Sequence, residues 1–368
     1  MICCAGDRAT RRAFLAALTG AVVAACAGPG SDAAARRQAD VMRQGAAAVA
    51  AGPVVDLHAH PGQFTRIAAG ELSPAAVAEM RGAGVTAAFF AAVGDGPVIR
   101  REPGGIRNYR EPQPGELRRS TVGQLERVRV RAREGVVGLV LEPGDLVRIS
   151  ADGRAAALLA VEGGDPLEGD PRYVRELYGI GVRSIQLVHY RVNELGDIQT
   201  EPPRHNGLTQ TGADAVVEMN RLGMVVDAAH ASPETLRAIL AVSRTPIVVS
   251  HTGPAERRAF ARHLPDDALR AVAARGGVIG VWPVVRSRPA PLDDFVADLR
   301  HVQRVAGIDH TAFATDMTGL STYTAILTYP EFAAVPAALL TAGFSEEECR
   351  KLLGGNAARV IDGSLSAA

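Results

Sequence analysis

Residues 211–230 read TGADAVVEMNRLGMVVDAAH and contain one helix–strand unit. The first part has apolar residues at helical spacing and ends near a glycine, which is typical of an amphipathic helix. The second part is a short, nearly continuous apolar run, as expected of a strand that is buried on both faces of a parallel sheet. This stretch therefore predicts a helix followed by a parallel strand that ends at His230.

Similar apolar runs recur along the rest of the chain. Together with MVVDAAH (224–230), the predicted strands are VVDLHAH (54–60), VTAAFFAAV (85–93), AALLAVEGG (156–164), VRSIQLVH (182–189), PIVVSHT (246–252), GVIGVWP (277–283) and HTAFATD (310–316). Helical patterns lie between most of them, and Ser73-Pro74 and Ser232-Pro233 each place a capping hydroxyl before a proline. Eight alternating units predict one α/β domain at residues 53–368, a single (β/α)8 TIM-type barrel with an N-terminal lead-in helix and C-terminal helices. The long connection at 94–155 is expected to hold an Arg/Pro/Gly-rich loop and a helix.

The composition of the chain excludes several classes of protein. Forty basic and forty acidic residues among 368 give a formal net charge of zero, which disfavours nucleic acid as the main partner. A hydrophobic fraction of 47% excludes wholesale disorder. No apolar run beyond the N-terminus approaches the roughly 18 residues of a membrane span, so a multi-span membrane protein is excluded.

The first 25 residues have the features of an export signal. Residues 9–26 read ATRRAFLAALTGAVVAAC, in which an arginine pair precedes a short run of small apolar residues, a pattern that resembles a twin-arginine signal. The last four residues of this stretch resemble a bacterial lipoprotein box, so we expect an exported periplasmic or cell-envelope protein with a lipid anchor at Cys26. The alternative is a plain cleaved signal with an incidental cysteine. Residues 26–52 are expected to form a tether and the lead-in helix.

Polar side chains gather at the C-terminal ends of the predicted strands, where barrels of this type carry their chemistry. They are His58, His60, Glu162, His189, His230, His251 and Asp316. Buried ionisable groups are costly unless they are paired or bind a metal, so this set predicts a metal site. Residues i and i+2 of a strand point to the same face, so the pair His58 and His60 can reach one ion. Imidazole and carboxylate suit Zn²⁺, and two ions about 3.5–4 Å apart are expected.

Two such ions need an anionic bridging ligand. Many barrel hydrolases use a carboxylated lysine, but the single lysine of this chain, Lys351, lies far beyond the last predicted strand. Glu162 is therefore the expected bridge.

The order and spacing of several long segments resemble the membrane dipeptidase family, the renal-dipeptidase-like zinc peptidases. The segments are VEGG, YGIGVRSIQLVHYRVNELGD, GLTQTGADAVVEMNRLGMVVDAAHAS, PIVVSHTGPAERRAFARHLPDDAL, GGVIGV, GIDHTAFATDMTG and GFSEEECRKLLGGNAARV. They cover most of residues 54–362. The resemblance implies a zinc-dependent dipeptidase that cleaves short peptides, including those with a C-terminal D-residue, by a hydroxide that bridges two metal ions.

The resemblance also implies roles for single residues. The metal ligands fall on His58, His60, Glu162, His230 and His251. His189 matches the histidine that contacts the substrate and polarises the scissile carbonyl. Arg262 matches the arginine that takes the substrate's carboxylate, and Asp316 matches the acid/base aspartate. The family usually has His-x-Asp where this chain has His58-x-His60, so one negative charge is missing from the metal ligands.

Two alternatives remain open at this point. One is another amidase or a lactonase that uses the same metal site. The other is a lipid-anchored metal- or peptide-binding protein without turnover. The expected partner is a small peptide substrate, and contact with a membrane is expected only through Cys26. Whether the chain forms a homodimer is left open by the sequence.

Overall fold

This computed structural model describes residues 40–45, 47, 49, 52–60, 73–284, 292–319 and 324–367. Residues 40–45, 47 and 49 are helical, whereas the predicted export signal at 1–25 and Cys26 lie outside the described residues. Among the residues that are described, no helix is both long and apolar enough to cross a bilayer.

Eight parallel strands form the barrel, and each pairs with the next one along the chain. They are Val55–Ala59 (β1), Ala87–Val93 (β2), Ala155–Glu162 (β3), Val182–Gln186 (β4), Val225–Asp227 (β5), Val248–Thr252 (β6), Val278–Val281 (β7) and Thr311–Phe313 (β8). Strands β2 and β3 have the longest continuous register, from Ala87↔Ala156 to Val93↔Glu162. The predicted (β/α)8 barrel is confirmed.

Helices follow or connect most of these strands. Those around the barrel are Pro74–Gly82, Glu116–Arg133, Asp145–Ala151, Tyr173–Ile180, Gln210–Arg221, Pro233–Val242, Asp266–Ala274 and Leu292–Ala306. The C-terminal helices are Tyr329–Phe332, Val335–Thr341, Glu346–Arg350 and Asn356–Leu365. The predicted helix starts at Ser73 and Ser232 are present, because each serine hydroxyl accepts a hydrogen bond from a backbone N–H of the first turn.

The strands are buried on both faces, as their continuous apolar sequences predict. One apolar cluster packs barrel residues against the surrounding helices. A smaller cluster joins alternate residues of β2 and β3, including Phe89 and Leu158, to Val360 and Ile361 of the last helix. Glu162 lies on the same face of β3 as Leu158, so it stands above this smaller cluster at the C-terminal end of the strand.

The barrel closes between β8 and β1 through few backbone contacts. Ala59 and Met317 form an isolated parallel bridge, His60 donates its backbone N–H to the Met317 carbonyl at 2.9 Å, and Asp316 donates to the His58 carbonyl at 2.8 Å. We call this junction the seam. Because it consists of residues 58–60 and 316–317, the seam lies within the predicted site.

The long connection between β2 and β3 contains more structure than the sequence predicts. The Arg/Pro/Gly-rich loop includes an antiparallel hairpin of Ile99–Glu102 and Gly105–Asn108, and its turn uses Gly104 and Gly105 at positive φ. A short strand, Val137–Leu139, pairs with β3 outside the barrel order, and the helix Asp145–Ala151 follows it. The hairpin was missed because its short, arginine-rich strands lack the long apolar run that marks a barrel strand.

Two glycines provide a test of the packing between strands. A Cβ atom at Gly280 in β7 would overlap the carbonyl oxygen of Ser250 in β6, whereas a Cβ at exposed Gly123, inside the helix Glu116–Arg133, meets nothing within 4 Å. We expect Gly280→Ala to lower the free energy of unfolding by about 1–3 kcal/mol because it overpacks the sheet. Gly123→Ala should raise it by about 0.5–1 kcal/mol through helix propensity. Denaturant unfolding measures both, and equal effects of the two substitutions would contradict this description.

Candidate metal centre

Five histidines and one glutamate come together at the C-terminal end of the barrel. The six are His58 in β1, His60 directly after it, Glu162 at the end of β3, His189 three residues after β4, His230 three residues after β5, and His251 in β6. All six are between 1% and 6% exposed. Parallel strands end at the same rim, so the barrel topology gathers residues that are far apart in the sequence.

The carboxylate of Glu162 is the centre of this cluster. Its oxygens lie 3.2 Å from Nε2 of His58, 3.4 Å from Nε2 of His60 and His189, and 3.5 Å from Nε2 of His230 and His251. Charge-assisted hydrogen bonds are shorter, about 2.7–2.9 Å. The rings therefore aim their Nε2 atoms at the space around Glu162 rather than forming five direct bonds to it.

Four of the rings form two close pairs. The Nε2 atoms of His58 and His60 are 3.1 Å apart, and those of His230 and His251 are 3.0 Å apart. Two ligands of one tetrahedral zinc ion lie about 3.4 Å apart when the bonds are about 2.1 Å, so each pair has a suitable spacing for a shared ion. Within this cluster, three groups have donor atoms within 4.8 Å of one another: His58–His60–Asp316, His58–Glu162–His251 and Glu162–His189–His230. These residues fit a metal ion in both donor chemistry and spacing.

The charges in the cluster favour cation binding. Burial alone raises the pKa of Glu162, but the attraction of His189 and His58 outweighs it and holds this pKa well below its ordinary value. Burial, with the positive charge of Arg262, lowers the pKa of His230 well below 6.5, and burial with nearby positive charge does the same for His251. At neutral pH these two imidazoles are therefore unprotonated, as a metal ligand must be, and the Nε2 of His251 lies 3.0 Å from Nη2 of Arg262.

The pKa of His58 is shifted in the opposite direction. Burial lowers its pKa, but the attraction and hydrogen bond of Glu162, together with Asp316 and Asp227, raise it to about 9. A metal that binds His58 displaces this proton, so loading of the site should release protons to the solvent.

Arg262 is a buried cation beside the cluster. Its guanidinium donates to Gln199 Oε1 at 2.5 Å, is hydrogen-bonded to the hydroxyl of Tyr190 and lies 5.3 Å from the ring centroid of Trp282. Its Nε has no hydrogen-bond partner, and no carboxylate of the described residues forms an ion pair with it. A buried guanidinium in this state is a site for an external anion, because an unpaired buried charge is costly.

Asp316 completes the predicted set and contacts the same nitrogen of His60 that faces Glu162. Its carboxylate lies 3.3 Å from His60 Nε2. Both Asp316 and His230 have positive φ angles, 49° and 65°, which non-glycine residues rarely adopt. A Cβ at Gly319 would overlap the Asp316 carboxylate and the His60 ring, so glycine is required there for the chain to pass the site. Strained residues of this kind cluster at functional sites.

Three buried aspartates support the cluster and were not predicted. Asp56 accepts hydrogen bonds from the backbone and hydroxyl of Thr315, at 2.8 and 2.6 Å, and from the Tyr329 hydroxyl at 3.1 Å. Asp227 accepts from the backbone of Ser250 at 3.0 Å, and Asp95 contacts Nδ1 of His189 at 2.7 Å. Asp56 and Asp227 lie within three residues of predicted ligands, and this nearness was an available signal. Nothing local in the sequence distinguishes Asp95.

The sequence profile of the membrane dipeptidases, peptidase family M19, matches residues 46–366. The chain belongs to the membrane dipeptidase family. This finding confirms the resemblance that the sequence motifs indicated.

Among the curated relatives of this membrane dipeptidase family member is the dipeptidase verJ of Clonostachys rogersoniana. It is 32% identical over 256 residues, which are 67% of this chain and 66% of verJ. The dipeptidase tcpJ of Claviceps purpurea is 32% identical over 227 residues, 59% of this chain and 53% of tcpJ. The chain thus spans between about half and two thirds of the length of these relatives.

Solved structures share the fold of this family member over nearly their whole length. The probable dipeptidase PvdM from Pseudomonas aeruginosa superimposes with a TM-score of 0.75 at 19% identity, covering 90% of this chain and all of PvdM. A metallopeptidase from Rhodobacter sphaeroides, liganded with a phosphinate mimic of the dipeptide L-Ala-D-Ala, has a TM-score of 0.70 at 20% identity and covers 85% of this chain and 99% of that one.

A pH titration can test the surroundings of Arg262. The only tryptophan, Trp282, donates its indole N–H to Nε2 of His263 at 3.2 Å, and His263 Nδ1 contacts the Arg258 carbonyl at 2.9 Å. Burial, with the charges of Arg258 and Arg262, lowers the pKa of His263 to about 4. The folded state therefore keeps His263 neutral above that pH, and stability is lost as pH falls from 6.5, the unfolded pKa, through 4.

In metal-free protein we expect the fluorescence of Trp282 to change with a midpoint near pH 4, because protonated Nε2 can no longer accept the indole N–H. His263→Gln, whose amide oxygen can accept that bond without titrating, is the matched control and should abolish the transition. A midpoint near 6.5 in the folded protein would contradict the assignment.

Proposed function

We propose that this family member is a zinc-dependent dipeptidase that hydrolyses the amide bond of short peptides. The proposal is carried by the convergence of five imidazoles on the buried carboxylate of Glu162, next to the unpaired buried cation Arg262. The pocket thus offers nitrogen ligands for metal ions next to a buried guanidinium that forms no ion pair with a carboxylate of the described residues.

In this proposal two zinc ions are held by the two histidine pairs. His58 and His60 would hold one ion, His230 and His251 would hold the other, and the Glu162 carboxylate would be a ligand of both. When bound, such ions polarise a carbonyl group and lower the pKa of water toward about 7. Lys351 is not available as a bridge, because it donates to Asp309 at 2.7 Å, just before β8 begins and therefore at the opposite end of the barrel.

Arg262 recognises the terminal carboxylate of the substrate in this proposal. A guanidinium presents donors that match a carboxylate bidentately, and its unpartnered Nε leaves one of them free. Such recognition selects short peptides with a free C-terminus. We extend to this chain the class of ligand found in the Rhodobacter structure, so dipeptides with a C-terminal D-residue are included among the substrates.

His189 and Asp316 act on the peptide bond. Burial lowers the pKa of His189, but the attraction of Asp95 and Glu162 raises it above its ordinary value. A doubly protonated ring can donate from Nε2 to the scissile carbonyl while Nδ1 donates to Asp95. Asp316 takes the proton of the attacking water and returns it to the leaving amine.

We also propose export of the protein to the periplasm or cell envelope with a lipid anchor at Cys26. This proposal is supported by the arginine pair, the short apolar run and the lipoprotein-like box at residues 9–26.

One preparation can separate dipeptidase activity from its alternatives. Zinc analysis is combined with a panel of L,L- and L,D-dipeptides, N-acyl amino acids and lactones. Hydrolysis of dipeptides with about two zinc ions per chain supports the proposal. Faster turnover of the other substrates favours an amidase or lactonase, and peptide binding without turnover favours a binding protein.

Asp316→Asn tests the role of the aspartate. We expect kcat to fall by about 10²–10⁴-fold, the usual contribution of general acid–base catalysis, while zinc content stays unchanged. Because Asp316 also lies within a donor group with His58 and His60, its loss could instead remove an ion. Metal analysis decides: a loss of one zinc per chain would make Asp316 a ligand, and near-normal turnover would remove it from the mechanism.

Arg262→Gln tests carboxylate recognition. We expect kcat/KM for a dipeptide to fall by about 10²-fold, since losing one partner of a buried charged contact costs roughly 2–5 kcal/mol. The matched substrate is the same dipeptide with an amidated C-terminus, which wild type should already hydrolyse poorly and which the variant should treat no worse. An equal loss of kcat/KM with both substrates would show that Arg262 does not bind the substrate's carboxylate.

A further inference from the structure

Two glycines allow the loop after β2 to approach the loops after β3 and β4. Gly94 donates its backbone N–H to the Glu162 carbonyl at 2.7 Å, and a Cβ atom at Gly94 would overlap the carbonyl oxygen of Gly163. Gly163 in turn donates to the carbonyl of Gln186, the last residue of β4, at 3.1 Å. This close approach places Asp95, the residue after Gly94, beside the chain that follows β4.

The two carboxylate oxygens of Asp95 together contact three consecutive residues, 189–191. Oδ1 lies 2.7 Å from Nδ1 of His189, and Oδ2 accepts the backbone N–H groups of Tyr190 and Arg191 at 3.0 and 3.1 Å. Asp95 is completely buried. One side chain therefore fixes both the backbone that carries His189 and the plane of its ring.

The contact also selects which ring nitrogen faces the site. A carboxylate accepts hydrogen bonds and donates none, so the nitrogen that contacts it must carry a hydrogen. The opposite nitrogen, Nε2, lies 3.4 Å from Glu162, and the ring packs edge-on against His230 at 4.5 Å between centroids. We propose that Asp95 is the positioning residue of His189, holding Nδ1 protonated and Nε2 directed at the reacting groups. The catalytic part of this proposal rests on the proposed function of His189.

A neighbouring aspartate provides a matched control. Asp165 is also buried, and it accepts hydrogen bonds from Arg191 and from Asn193, both at 3.1 Å. It therefore anchors the same loop, but its hydrogen bonds do not go to the His189 ring. Burial and the negative charge of Asp95 raise the pKa of Asp165 to about 7, so an asparagine there resembles its protonated form.

The first measurement compares Asp95→Asn with Asp165→Asn in the zinc-loaded protein. Asparagine can offer an N–H to Nδ1, which removes the preference for a protonated Nδ1. We expect Asp95→Asn to lower kcat by about 10–100-fold with little change in KM or zinc content, as for other groups that orient a functional histidine. Asp165→Asn should leave kcat close to wild type. Equal losses of kcat in the two variants, or none in Asp95→Asn, would overturn the positioning role.

The second measurement needs no activity. In metal-free protein labelled with ¹⁵N-histidine, the His189 signals are assigned by their absence in His189→Gln. We expect a protonated Nδ1 in wild type and in Asp165→Asn, and a shift of the Nδ1 signal in Asp95→Asn. An unprotonated Nδ1 in wild type, or unchanged signals in Asp95→Asn, would overturn the proposal.

The two measurements keep the two proposals distinct. If wild type hydrolyses no dipeptide, the proposed function fails, while the spectra still decide whether Asp95 sets the state of the ring. If wild type is active and the spectra are unchanged in Asp95→Asn, only the positioning role fails.

Discussion

The burial of one carboxylate governs the C-terminal end of this barrel. Glu162 is 3% exposed, and its neighbours hold its pKa well below the ordinary value. An ionised group at that depth is tolerated only when positive charge or polarisable donors surround it. Four strand ends supply five imidazoles at 3.2–3.5 Å from it, so the position of each ring depends on the position of the strand that carries it. A shift of any one of these strands would therefore disturb the site, which ties the packing of the barrel to its chemistry.

The sequence predicted the barrel and the identity of the clustered residues for one reason. In a parallel barrel the position of a residue along its strand already determines the rim on which it lies, so a histidine at the end of a buried run has a known place. That argument placed His230 and His251 correctly without any knowledge of their contacts. It says nothing of loops, whose path depends on contacts between segments that are distant in sequence.

The residues that sequence reasoning missed follow from this limit. Asp95 reaches His189 only because Gly94 and Gly163 allow two loops to approach each other. Tyr190 was not singled out either, yet its ring packs against both His189 and His230 and its hydroxyl contacts Arg262. The family's usual aspartate, replaced here at His60, was recognised from the pattern. The structural effect of the histidine at this position is local. Its Nδ1 atom contacts the Ala91 carbonyl at 3.0 Å, and its Nε2 atom faces both Glu162 and Asp316.

The seam between β8 and β1 joins the barrel through very few backbone hydrogen bonds, and side chains of the site lie on both sides of it. Asp56 reinforces the same junction from below through Thr315 and Tyr329. Any ligand that holds His58 or His60 together with Asp316 therefore also opposes separation of the first and last strands. By mass action, such a ligand raises the free energy of unfolding of the barrel when its concentration exceeds its dissociation constant. The thermal stability of the barrel and the occupancy of the pocket by a ligand are therefore coupled through the binding equilibrium.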